Sequence, residues 1–294
     1  MVKASNALPF MLAVSALWGS SYVFTKGLTN ALPPFAAFFM SNIIGALLFA
    51  ILFSRHLHGF PWRRIGGLVV LNSFCVLNAL LNVVALRYTS STNASFLIQF
   101  SVLLIPLFTA WALKERPRAH VFPCALLALA GTALLLLDFR QISINPGDLL
   151  ILVVAASFSV YVVLLAVRGQ GLRIVDILAV YYAMCLPIGG LLFFGLEWGR
   201  TDIPALGAMP WLPLFGSATV ILFAQVLQVA VSRFLRPETI ALVCCVEPVF
   251  TSALAYFLLS ERLRPQTWAG GLIVLASLVL SNVFDRRLLF RGHH

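Results

Sequence analysis

Long apolar runs of mostly Leu, Val, Ala, Ile and Phe alternate along the chain with short stretches that hold Pro, Gly and most of the charges. About 20 apolar residues are enough for a helix to cross the hydrocarbon of a bilayer. The runs predict ten such helices, at about 8–28, 34–54, 65–86, 91–113, 119–138, 147–167, 175–196, 211–232, 238–260 and 266–284. Loops fall at Pro33-Pro34, at Gly59-Phe60-Pro61, at Asn145-Pro146-Gly147 and from Pro204 through Pro210, where turn-forming residues cluster. The longest connections, near 139–146 and 197–210, are too short to hold a soluble domain.

The pattern is written twice. An ungapped offset of 146 lays Arg87 on Arg233, Leu113 on Leu259, Glu115-Arg116 on Glu261-Arg262, Leu129-Ala130 on Leu275-Ala276 and Arg140 on Arg286. The repeating unit is five helices, an odd number, so a unit ends on the opposite side of the membrane from its start. Its copy is therefore inverted. The expected units are residues 1–142 and 143–294. Inverted repeats in a polytopic membrane protein point to a secondary transporter with its site between the halves. The expected fold is an all-α membrane protein of ten transmembrane helices.

Composition agrees. Hydrophobic residues make up 61% and charged residues 10% of the chain, with a mean hydropathy of +0.98, against about 25% charged in a soluble domain. The net charge of +10 resides in short loops, where it meets anionic headgroups. No basic stripe with interleaved aromatics suggests nucleic acid. With the N-terminus inside, only Lys26, Arg87, Arg140, Arg200, Arg262 and Arg264 of the 20 basic residues fall outside. That bias predicts both termini in the cytoplasm. The run from Leu8 to Thr25 behind Lys3 lacks a clear cleavage motif and exceeds a signal-peptide core, so it reads as the first span.

The five cysteines, Cys75, Cys124, Cys185, Cys244 and Cys245, lie in apolar segments and read as packing. All five histidines lie in loops or at the terminus. There is no Walker loop, no H-E-x-x-H and no dinucleotide fingerprint. Neither a metal, a cofactor nor an enzyme is expected.

The chemistry lies in polar groups inside apolar helices, where unsatisfied groups are costly. The third segment carries Asn78 and Asn82, four apart on one face, together with Asn72. The fourth carries Asn93, Gln99 and Ser101, and the eighth Gln225 and Gln228, three apart. Asn82 and Gln228 are equivalent under the offset. One reading is interhelical glue at about 0.6–2 kcal/mol each. The other is a cavity, which the number of amides and hydroxyls favours. An amide both donates and accepts, which suits a zwitterion. Trp18 and Tyr22, around Gly19-Ser20-Ser21, and Tyr161, Tyr181 and Tyr182 are candidate lining residues. Glu247 is the one acidic residue deep in a helix. It is a coupling candidate, but Pro248 kinks the helix there, and the carboxyl then serves to repair the gap. Lys26 is expected to snorkel to the outer interface.

Several motifs carry a resemblance. They are Ala16-Leu17-Trp18-Gly19-Ser20-Ser21-Tyr22, Ala85-Leu86-Arg87-Tyr88-Thr89-Ser90-Ser91, Lys114-Glu115-Arg116, Gly147-Asp148-Leu149-Leu150, Glu247-Pro248-Val249-Phe250 and Ser260-Glu261-Arg262. With them the chain resembles the drug/metabolite transporter superfamily, in its ten-helix bacterial branch with two EamA-type repeats. Loop spacing is similar to that of its amino-acid exporters, including the aromatic amino-acid exporter. The resemblance implies a central cavity formed by both repeats and efflux across the inner membrane. The third and fourth segments offer Asn78, Asn82, Gln99 and Ser101 rather than aromatic stacking partners, which favours broad amino-acid traffic. Ser101-Val102 stands where repeat two has Glu247-Pro248. The expected partners are amino-acid solutes and the lipid bilayer, with no nucleic acid and no obligatory protein partner. The alternatives are an exporter of another small metabolite or drug, or a non-transporting membrane scaffold.

Overall fold

A computed structural model describes residues 6–114, 121–136, 145–199, 208–259 and 269–280. Among these the structure is helical throughout, with no strand. The first repeat contributes α1 (Ala7–Ala31), α2 (Pro34–Phe53), α3 (Ile65–Tyr88), α4 (Ser91–Leu97), α5 (Ser101–Leu113) and α6 (Val121–Leu136). The second contributes α7 (Pro146–Arg168), α8 (Ile174–Leu192), α9 (Trp211–Val231), α10 (Pro237–Cys244), α11 (Glu247–Leu259) and α12 (Ala269–Leu280). Twelve helices make ten crossing segments, because α4 with α5 and α10 with α11 are each one segment broken midway. Eight segments are long and apolar enough to span a bilayer, while α6 and α12 are shorter apolar helices.

The sequence sets these boundaries locally. Pro34, Pro146 and Pro237 each stand in the first turn of a helix, where the missing N–H has no partner to lose and φ is already helical. Asn145 and Asp148 close a reciprocal capping box at the start of α7, which satisfies two orphan donors. Thr89, just past α3, donates to the same Asp148 carboxylate and so ties the end of α3 to the start of α7. Lys114 ends α5 in the left-handed conformation, φ 55°.

The most extensive helix contacts run between repeats: α3 on α7, then α1 on α9. Superposing one repeat on the other exchanges α1 with α7 and α3 with α9, so these are one interface seen twice. The two arginines that first marked the repeat do the same work at its two ends. Arg87 donates to the Thr29 carbonyl at 2.7 Å, tying α3 to the end of α1. Arg233 donates to the Leu172 carbonyl beyond α7. At Thr29, in the last turn of α1, the guanidinium also complements the helix dipole. Lys26 departs from the sequence expectation. Its ammonium is bound to the Leu86 carbonyl at 2.8 Å rather than reaching for the interface, because the end of α3 passes within its reach.

α2 and α8 are held at both ends by charged groups of opposite sign. Glu197, 6% exposed, accepts the N–H groups of Phe35 at 3.0 Å and Ala36 at 2.7 Å at the start of α2. At the other end Arg173, braced by Asp176, donates to the carbonyls of His58 and Gly59. The Asp176 hydrogen bond holds this exposed guanidinium above its ordinary pKa. Large apolar side chains such as Ile51, Leu191, Trp111 and Phe257 project from the bundle with at least three quarters of their surface exposed. Water would not tolerate so continuous an apolar surface, and acyl chains do.

Candidate functional site

The two broken segments have the same design. An offset of 146 carries α4 onto residues 237–243 and α5 onto residues 247–259, the bounds of α11. In repeat one a 3-10 turn at Ile98–Phe100 separates the helices. In repeat two Cys245-Val246 turns before Glu247 opens α11. The sequence foresaw a kink next to Pro248 but an unbroken fourth segment. Repeat one has no Glu-Pro pair at the equivalent place, so its break has no local proline to announce it; Pro106 lies farther on, inside α5.

The breaks meet at a small cavity lined by Trp18, Tyr22, Asn78, Asn82, Ile98, Gln99, Ser101, Phe158, Cys244 and Glu247. A larger cleft adjoins it and shares Trp18, Asn78 and Asn82. It holds about 600 Å³ of space free of protein atoms, its open mouth included. Its polar lining comes from Ser21 and Thr25 of α1, Ser41 and Asn42 of α2, Asn78 and Asn82 of α3 and Gln225 of α9. Phe38, Tyr181 and Tyr182 form an aromatic wall. Both repeats contribute to both cavities.

Hydrogen bonds orient these side chains without exhausting them. Asn78 donates to the Val154 carbonyl at 3.2 Å, Gln99 to the Ser95 carbonyl at 3.2 Å and Asn42 to the Phe38 carbonyl at 2.8 Å. An amide has two N–H donors and a carbonyl acceptor, so each keeps capacity for a guest. The Asn82 carbonyl oxygen is buried with no hydrogen-bond partner. Glu247, 4% exposed, has the Gln99 amide and the Cys244 thiol as hydrogen-bond neighbours. It lines the small cavity.

Of the residues singled out in the sequence, Trp18, Tyr22, Asn78, Asn82, Gln99, Ser101, Gln225 and Glu247 stand on cavity walls. Tyr161 and Gln228 line neither of these two cavities. The Tyr161 hydroxyl meets the Cys75 thiol, and the Gln228 carbonyl oxygen accepts the Trp18 indole N–H at 2.6 Å. Gln228 thus sets the pose of a lining residue from behind it. Ser41 and Asn42 were missed, although a polar pair in the middle of the apolar run 34–54 was a legible signal.

The chain is similar along nearly its full length to proteins from distant organisms. The uncharacterized transporter YwfM of Bacillus subtilis is 29% identical over 292 residues, with 92% of each chain covered. An uncharacterized transporter of Archaeoglobus fulgidus is 28% identical over 288 residues, covering 92% of this chain and 96% of its own. A solved crystal structure at 20% identity superposes with a TM-score of 0.77 over 97% of this chain and 99% of its own, which speaks for the fold alone. The sequence profile of the EamA-like transporter family matches residues 5–137 and again residues 145–283, and the chain is a multi-pass membrane protein of that EamA-like transporter family.

Proposed function

We propose that this chain is an inner-membrane secondary transporter that exports amino acids of broad specificity by alternating access. The observation that carries the reading is a small cavity at the meeting of two broken helices, continuous in its lining with a larger cleft that is polar on the α2, α3 and α9 side and aromatic toward α8. Broken segments beside a midplane cavity between inverted repeats are how many carriers bind solute while the repeats rock around it. Amides suit both ends of a zwitterion, and the aromatic wall accepts side chains of varied size. The bias of basic residues supports cytoplasmic termini.

The test is counterflow. Full-length protein in liposomes preloaded with unlabelled amino acid should accumulate labelled amino acid transiently and saturably, with several amino acids competing. The absence of counterflow for every amino acid would overturn the substrate class. The aromatic wall favours a second reading, export of other small solutes with an apolar body, and the same liposomes test it with such solutes in place of amino acids.

A further inference from the structure

The charges around the cleft are one-sided. Among the described residues lining either cavity, Glu247 is the one acidic side chain, and there is no Lys, Arg or His. The nearest cation along α1, Lys26, is bound to the Leu86 carbonyl. A zwitterion in this site therefore finds a carboxyl for its ammonium group but no cation for its carboxylate. A carboxylate offers about four acceptor positions. Gln99 and Cys244 are the hydrogen-bond neighbours of Glu247, which leaves acceptor capacity for a guest. Tyr22 stands on the same wall, and Ser101 opens α5 beside it. No residue lining either cavity offers this carboxyl a cationic partner, so a guest is the source of one.

We propose that the small cavity at Glu247, walled by Tyr22, Gln99 and Ser101, is an ammonium-binding subsite, and that primary amines lacking a carboxylate are substrates. The inference rests on reading the cleft as the solute site. The ammonium group hydrogen-bonds the Glu247 carboxylate in a charge-assisted contact, and the apolar body of the amine extends past Trp18 and Asn82 toward Tyr181 and Tyr182. A substrate carboxylate, when present, is met by neutral amides alone. Selection then falls on the amine end, and the far end of the solute is loosely read.

The experiment uses full-length protein in liposomes with tyramine, its neutral N-acetyl derivative and tyrosine, protein-free liposomes setting the leak. Saturable exchange of tyramine at least equal to that of tyrosine, with the acetylated compound at least tenfold weaker, is the expected result. Glu247→Gln should lower tyramine exchange at least tenfold, and Glu247→Asp should retain part of it. Titration of detergent-solubilised protein with tyramine should follow the same order. Acetylated and free amine exchanging equally, or tyrosine exchanging while tyramine does not, overturns the subsite. So does unchanged tyramine exchange in Glu247→Gln. If tyramine exchanges and no amino acid does, the subsite stands and the amino-acid reading falls. If no solute exchanges or binds, both fall. Should Glu247→Gln fail to fold, the comparison of tyramine with its acetylated form on the unaltered protein decides.

Discussion

Arg87 ties the third helix of repeat one to the end of α1, and Arg233 ties the end of the third helix of repeat two to the loop that follows α7, at opposite ends of the bundle. Ser101 and Glu247 hold equivalent places in the two broken segments, each opening a helix on the cavity wall, yet one offers a hydroxyl and the other a carboxyl. The repeat is thus kept where it braces the scaffold and abandoned where it faces the cavity. A scaffold that swings about a pseudo-twofold axis benefits from matched braces on both sides. A binding site has no such need, because one solute cannot satisfy two identical half-sites unless it is itself symmetric.

The comparison breaks first at topology, where the expected contrast is all or none. Asn30, in the last turn of α1, and Gln170, beyond the end of α7, are both exposed, and inversion puts them on opposite sides. Cysteine at Asn30 should label from outside in intact cells, and cysteine at Gln170 only after permeabilisation. The native cysteines are buried and should stay silent. Labelling of both positions from one side would end the inverted-repeat description.

The next effect is on stability. Arg87→Ala and Arg233→Ala each remove a charged hydrogen bond to a backbone carbonyl, at the end of α1 and in the loop after α7, worth about 1.5–3 kcal/mol. Matched losses in the melting temperature of detergent-solubilised protein are expected, and a loss confined to one variant would show that the equivalence is one of sequence only. Gly19→Ala should cost about 1–3 kcal/mol through overpacking. A methyl group there would meet the Glu247 carbonyl oxygen at 2.6 Å and the Phe250 Cβ at 3.0 Å. It would also push α1, with Trp18 and Tyr22, away from Glu247, so transport should fall with stability.

Much of this was legible in the residues themselves. Segment positions followed from apolar runs, and the repeat followed from Arg87 over Arg233. The polar side chains of α3 and α9 stood out against Leu and Val. Two things did not show. The break at Ile98–Phe100 has no local proline or glycine to mark it; its counterpart at Cys245-Val246 does the marking, and only through the offset. Tyr181 and Tyr182 were among the candidate lining residues, but Phe38, the third member of their wall, was not, because which face of α2 meets α8 is decided by packing and not by the apolar run it lies in. Gln228 shows the limit from the other side. A conspicuous intramembrane amide on the expected face turned out to hold Trp18 and not to line the cavity.

That difference gives a smaller, separable effect for Asn82 and Gln228, the pair that the offset makes equivalent. Gln228→Leu should lower the melting temperature by an amount corresponding to about 0.6–2 kcal/mol and slow transport only as far as Trp18 loses its pose. Asn82→Leu removes a lining amide whose carbonyl oxygen has no protein partner. It should leave stability unchanged and reduce counterflow. The reverse pattern would assign Asn82 to packing and Gln228 to the site.

The smallest effect concerns selectivity and falls on the wall that repeat two supplies. Tyr182 lines the large cleft and is itself held by Phe49, with ring centroids 5.6 Å apart, and by Tyr181 at 5.1 Å. Its ring is therefore fixed before any solute arrives. An aromatic solute that stacks on it gains about 0.5–1.5 kcal/mol beyond area burial, and an aliphatic one does not. Tyr182→Leu keeps the wall apolar but removes that difference. At about 1.4 kcal/mol per decade, the ratio of phenylalanine to threonine transport should fall roughly two- to tenfold. The ratio is the informative quantity, because loosening the contact with Gly45, whose backbone lies close to the Tyr182 ring, lowers turnover for every solute alike. A fall in both rates with the ratio unchanged would make Tyr182 a packing residue of the α2–α8 pair and leave solute recognition to α1, α3 and the two broken segments.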